Sequence, residues 1–229
     1  MLRVSVTMLN SFRLLMTEDW MDAARFDAEV RGERAPTRQM RLGSAIHAIL
    51  ENPTAHAVGD LDAPGEYCAT VDGEEFVFPR EIIEPCLAVV ELGGVAECKA
   101  ALDYDIDGEQ VTVVGKADRL VGNSVIEYKS KWGRFDVKDY AAALQWRYYL
   151  RLFRAARVRY HVFVIAEDEG GEDFDAAYAL RSIEPFDFFP YPGLAADCER
   201  WVRAFTVYAH AHQLEPWLRS SHEAEEVSA

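Results

Sequence analysis

Basic residues are scarce in this chain of 229 residues: 24 Lys and Arg stand against 39 Asp and Glu, a formal net charge of −15 at pH 7. Taken as a whole, that balance argues against a nucleic-acid partner. Cysteine is sparse too. Cys68, Cys86, Cys98 and Cys198 are scattered with no CxxC pair, which points away from a zinc site and from a disulfide framework. No apolar stretch is long enough to span a bilayer and no early apolar run resembles a signal peptide, so a soluble, cytoplasmic protein without a membrane partner is expected. Hydrophobic residues make up 50% of the chain, enough for one domain with a substantial core rather than two small ones.

The acidity is uneven. From Lys116 to Arg159 eleven basic residues face four acidic ones, which leaves that segment at +7 and the remainder at −22. A basic segment in an acidic body suits a local track for a polyanion such as DNA, while a solvated helix face accounts for some of the arginines.

Residues 111–131, VTVVGKADRLVGNSVIEYKSK, read as a β-hairpin. Two runs of strand formers flank Gly122-Asn123, a pair suited to the positive dihedrals of a two-residue turn. With those two residues as the loop, Asp118 lies opposite Glu127 and Lys116 opposite Lys129, provided that no bulge breaks the register. Carboxylates paired across strands repel, and a divalent cation between them removes the penalty. Side chains alternate along a strand, so Lys129 shares a face with Glu127, while Tyr128 faces away but offers its carbonyl. Hard cations such as Mg²⁺ take a few oxygen ligands and keep several waters, and a lysine beside one of those waters suits phosphodiester chemistry.

Two helical segments carry further candidates. Residues 39–51, QMRLGSAIHAILE, place Leu42, Ala45, Ile46, Ile49 and Leu50 at helical spacing, which leaves Gly43, His47 and Glu51 as a separate stripe. A lone helical histidine is as much a core or surface residue as a ligand. Residues 140–156 read as one long amphipathic helix with Gln145 and Tyr149 four apart on one face.

In order along the chain, GxxxH at Gly43–His47, Asp118, ExK at Glu127–Lys129 and QxxxY at Gln145–Tyr149 together resemble the PD-(D/E)XK nuclease superfamily. The likeness is to its RecB-like branch, and LGSAIHAILENP most resembles the exodeoxyribonuclease VIII (RecE) type. It runs from Ser5 to about Ile165. The resemblance implies an α/β restriction-endonuclease-like fold, a central mixed β-sheet flanked by helices. It also implies a Mg²⁺- or Mn²⁺-dependent deoxyribonuclease, an exonuclease of DNA recombination, repair or phage DNA processing. Alternatives are a structure-specific or restriction-like endonuclease and a non-catalytic DNA-binding module. By the same resemblance His47, Asp118, Glu127 and the Tyr128 carbonyl hold the metal, Lys129 positions the attacking water, and Gln145 and Tyr149 contact DNA, aided by Lys131 and Arg147, or support the site. Glu51 ranks lower. Some relatives close an iron–sulfur cluster with one cysteine after the first helix and others near the C terminus. Here Met16 stands in the first place and only Cys198 comes late, so no iron–sulfur cluster is expected. Exodeoxyribonuclease VIII-type relatives also suggest a homo-oligomeric ring and a single-strand annealing protein as partner.

The expected layout is one nuclease domain over 1–219, with 54–107 as an insertion over the core and 220–229 as a disordered acidic tail. Ser5 or Thr7 caps a first helix. Strands are expected at 65–70, 74–79, 97–104, 110–120, 158–165 and 177–183, helices at 80–92 and over most of 190–219, and a loop at 132–139. His210 and His212, two apart and off any shared helical face, read as structural.

Overall fold

A computed structural model describes residues 1–59, 65–91, 93–167 and 178–220. In chain order the elements are β1 (Leu2–Ser5), α1 (Val6–Thr17), α2 (Ala23–Val30), α3 (Arg38–Glu51), α4 (Pro53–His56), β2 (Ala57–Val58), β3 (Glu66–Val71), β4 (Glu74–Pro79) and α5 (Arg80–Ala88). The second half continues with β5 (Val95–Ile106), β6 (Glu109–Val121), β7 (Ser124–Trp132), α6 (Val137–Ala142), α7 (Gln145–Leu152), β8 (Arg157–Glu167), β9 (Tyr178–Phe188), α8 (Leu194–Ala211) and α9 (Glu215–Ser220). Leu92, residue 177 and the tail after Ser220, which carry the ends of three expected segments, lie outside the described residues.

Among the described residues six strands make a central mixed sheet in the order β1-β6-β7-β8-β9, with β5 also on β6, and β2-β3-β4 make a smaller antiparallel sheet. Helices cover both faces, so the expected central mixed sheet flanked by helices is what the chain adopts. Of the 54–107 stretch, β2–β4 form the smaller sheet while β5 belongs to the large one. Strand β8 buries apolar residues on both faces: Val158, Tyr160, Val162 and Val164 enter one core, Phe163 and Ile165 the other. The first core packs the sheet on α1, α2, α7 and α8; the second packs it on α3, α5 and the small sheet. No described helix is long and apolar enough to cross a membrane.

Local signals place the helices. Ser5 caps α1 by accepting from Met8 N (3.0 Å), and Thr37 caps α3 through Met40 N (3.3 Å). The long helix expected over 140–156 is instead broken into α6 and α7. Ala143 is extended (φ −61°, ψ 149°), and the Leu144 amide donates to Asn10 Oδ1 of α1 at 3.0 Å while the Leu144 side chain is fully buried. A partner 134 residues away thus supplies the hydrogen bond that the helix gives up. His210 and His212 tie α8 to its surroundings: His210 meets Glu109 (2.5 Å) and Glu215 (2.7 Å), and His212 meets Asp27 (2.9 Å).

Strand β6 organises the sheet. β5 occupies one of its edges from Glu109 to Leu120, so β1 and β7 share the other, β1 on Val111–Val114 and β7 on Arg119–Val121. Residues 115–118 lie between these two partners. Helix α7 comes in here: a Cβ on Gly115 would sit 2.7 Å from Leu152 Cδ1, 3.0 Å from Tyr149 Cε1 and 3.2 Å from Val6 Cγ2. Gly115→Ala is therefore expected to destabilise by about 1–3 kcal/mol through overpacking, more than the roughly 0.5–1 kcal/mol that losing a strand glycine returns. A lower urea midpoint at unchanged slope is the check.

Candidate active site

The gap in β6 is closed by side chains. Hairpin pairing follows the expected register at Val121–Ser124, Leu120–Val125 and Arg119–Ile126, then the ladder ends. At the next position each strand bonds to the other's carboxylate: Asp118 N donates to Glu127 Oε1 (3.2 Å), and Tyr128 N donates to Asp118 Oδ2 (2.8 Å). Asp118 and Glu127 thus come together, each carboxylate held by a backbone amide of the opposite strand. Lys116 does not face Lys129. Its strand partner is Lys99 on β5 and its ammonium pairs with Glu97, because the ladder that would have carried it to Lys129 has already parted.

Glu127 is 1% exposed and carries three more contacts beyond the Asp118 amide's: its Oε2 accepts from Lys129 Nζ at 2.7 Å and from Gln145 Nε2 at 3.2 Å, and Asp118 lies beside it. Burial pushes its carboxyl up to about 7, against the pull of Lys129 and with the charge of Asp118 adding to the rise. Burial works against the charge of Lys129 as well, yet Glu127 and Asp118 more than reverse this and hold the ammonium protonated. One ammonium shared between two carboxylates leaves the cluster short of positive charge.

His47 approaches from α3. Gly43 lets that helix close on β7, since a Cβ there would meet Ser130 Oγ at 2.8 Å. His47 Nδ1 stands 3.7 Å from Asp118 Oδ1, beyond a hydrogen bond. Burial lowers its pKa, against the charge of Asp118, and the Tyr128 carbonyl is also close enough to act on it. A neutral imidazole is the form that binds metal. Asp118 divides two cavities. A smaller one is lined by His47, Glu51, Glu97 and Tyr128, and a larger one of about 570 Å³ by Glu127, Lys129, Gln145, Tyr149 and Lys116.

These donors fit a hard divalent cation. They are carboxylate and carbonyl oxygens with one imidazole, and the cluster lacks positive charge. Among the described residues no three His, Cys, Asp or Glu side chains converge on one point.

Gln145 and Tyr149 line the larger cavity and also bond back to the protein. Gln145 Nε2 bonds Glu127 and Tyr149 Oη (3.0 Å), and Tyr149, 3% exposed, donates to the Lys116 carbonyl at 2.7 Å. That hydroxyl stands in for a missing strand. Tyr160, which no motif flagged, points its hydroxyl at Gln145 Oε1 from 3.4 Å. Tyr149→Phe is expected to cost about 1–2 kcal/mol, because a carbonyl within the sheet loses its donor, and to lower cleavage more than DNA affinity. A fall in affinity alone would instead mark Tyr149 as a DNA contact.

The basic track is partly neutralised. Arg157 and Arg159 pair with Asp187, and Lys131 lies 3.8 Å from Asp139. Arg147 donates to the carbonyls of Ala141 (3.3 Å) and Ala142 (3.5 Å) at the end of α6 and lies over Trp146. Arg3, Ser5, Thr7 and Lys99 line the larger cavity instead. The sequence showed Ser5 and Thr7 only as helix caps, and nothing local marked Arg3 or Lys99.

No protein-family model and no curated protein matches the chain. Among solved structures the chain is similar to SSO0001, with a TM-score of 0.52 at 14% identity, over 90% of this chain and 76% of that one. It also aligns with an alkaline exonuclease (LHK-Exo) from Laribacter hongkongensis, with a TM-score of 0.42 at 14% identity over 97% of this chain and 94% of that one. For LHK-Exo in complex with dAMP the TM-score is 0.40 at 14% identity, over 96% of this chain and 94% of that one. The likeness to SSO0001 concerns the fold alone, and TM-scores of 0.42 and 0.40 carry no weight for activity.

Proposed function

We propose that the protein is a divalent-metal-dependent deoxyribonuclease, an exonuclease that hydrolyses phosphodiester bonds from DNA ends in recombination, repair or phage DNA processing. The observation that carries this reading is the cross-bonded pair of Asp118 and Glu127 with Lys129 at 2.7 Å, set in the lining of a cavity that Arg3, Lys99 and Lys116 also line. His47, Asp118, Glu127 and the Tyr128 carbonyl would hold Mg²⁺ or Mn²⁺, which when bound lowers the pKa of a water and withdraws charge from a phosphate. Lys129 orients the attacking water and stabilises charge developing on the phosphoryl oxygens. Gln145 keeps Glu127 in place, Tyr149 keeps Gln145 in place, and Lys131 and Arg147 serve the DNA once it displaces their present contacts. Ring assembly and a single-strand annealing partner rest on the resemblance, and sedimentation equilibrium tests the first.

The test is degradation of a linear duplex and of a closed circle with Mg²⁺, with Mn²⁺ and with chelator. Metal-dependent loss of only the linear DNA supports the exonuclease. Cutting of both supports an endonuclease, and no cutting in any condition supports a binding module.

A further inference from the structure

Resting on the nuclease reading, we propose that Lys116 contacts a DNA phosphate and that Glu97 is its positioning residue, holding the ammonium at the cavity wall until a phosphate displaces it.

Strands β5 and β6 stay in register on both sides of Glu97, with Ala96 opposite Arg119 and Cys98 opposite Ala117. Glu97 therefore lies across from Asp118, on the edge of β6 away from Glu127. Its φ is +54°, a left-handed backbone in the interior of a strand. For a residue with a long side chain that conformation costs more than an exposed ion pair contributes. The pairing of Glu97 with Lys116, whose side chains are 36% and 52% exposed, thus does not account for the conformation as a stability device. What the left-handed turn does is aim the carboxylate at Lys116.

Position explains the use. Lys116 lines the larger cavity with Asp118, Glu127 and Lys129, while Glu97 lines the smaller one with His47 and Asp118. The strand partner of Lys116 is Lys99, which lines the larger cavity as well. Glu97 keeps Lys116 extended and competes with phosphate for its charge, which limits how tightly DNA, and cleaved product, is held.

The experiment is equilibrium binding of a linear duplex over a series of salt concentrations, with Ca²⁺ replacing Mg²⁺, alongside cleavage by the same proteins in Mg²⁺. Lys116→Ala is expected to weaken binding and to reduce the slope of log K against log salt by about 0.9, the contribution of one phosphate contact. Lys116→Arg should keep the slope. Glu97→Gln should tighten binding about five-fold with the slope unchanged, and should have no such effect in the Lys116→Ala background. An unchanged slope in Lys116→Ala overturns the phosphate contact. Equal tightening by Glu97→Gln with and without Lys116 overturns the action of Glu97 through Lys116, and weaker binding in Glu97→Gln overturns its competition with phosphate. A wild-type protein that neither binds nor cuts DNA overturns the nuclease reading itself, and this inference with it.

Discussion

Asp118→Asn is expected to lower DNA cleavage by about 10³-fold, the scale of losing a charged group at a reacting phosphate, while leaving the fold intact. The reason lies in how Asp118 is used. Its Oδ2 accepts from the Tyr128 amide at 2.8 Å, and its own amide is bound by Glu127, two contacts that an asparagine keeps. What the substitution removes is charge, beside His47 at 3.7 Å and between the two cavities. Calorimetric titration with Mn²⁺ should show weakened binding, by about 10–100-fold, and the urea midpoint should move little. Cleavage that survives in this variant with metal affinity unchanged would remove Asp118 from the site.

Lys129→Ala has the largest expected effect on both stability and activity. It removes the ammonium that stands 2.7 Å from a carboxylate that is 1% exposed, so that Glu127 keeps Gln145 and the Asp118 amide but, among the described residues, loses its cationic partner. Breaking a buried ion pair on one side costs about 3–5 kcal/mol. Adding Glu127→Gln to Lys129→Ala should recover much of that loss, because no unpaired charge is left inside, and yet restore no cleavage. Urea unfolding of the two single variants and the double variant gives the coupling, and cleavage by all three separates folding from chemistry. A single variant as stable as the wild type would mean that Glu127 takes a proton when its partner leaves, in line with the upward push of burial on its carboxyl.

The hairpin shows how far local chemistry reaches. Gly122-Asn123 set the register, and three pairs follow it as expected. Continuing that register to Lys116 and Lys129 failed, because it assumes an unbroken ladder, whereas side chains replace the ladder from Asp118 onward. The helix over 140–156 failed for a similar reason. Nothing in its composition marks a break, and the cause is Asn10, in another helix. Gln145 and Tyr149 were visible as a spaced pair, but the groups they bond were not. Which groups such a pair bonds depends on what stands across from it, here Glu127 and the Lys116 carbonyl.

By itself the sequence determined the apolar residues on both faces of β8, the caps that start α1 and α3, and the turn that brings Asp118 beside Glu127. These are short-range properties, set by residues within a few positions of one another. Only the tertiary structure decided that β6 changes partners between Val114 and Arg119 and that α7 fills the gap. It also decided that Glu97 takes Lys116, and that Arg3 and Lys99 rather than Arg147 line the cavity. Each of those depends on strands and helices far apart in the chain meeting at one edge, where an unpaired backbone group takes whichever side chain can reach it.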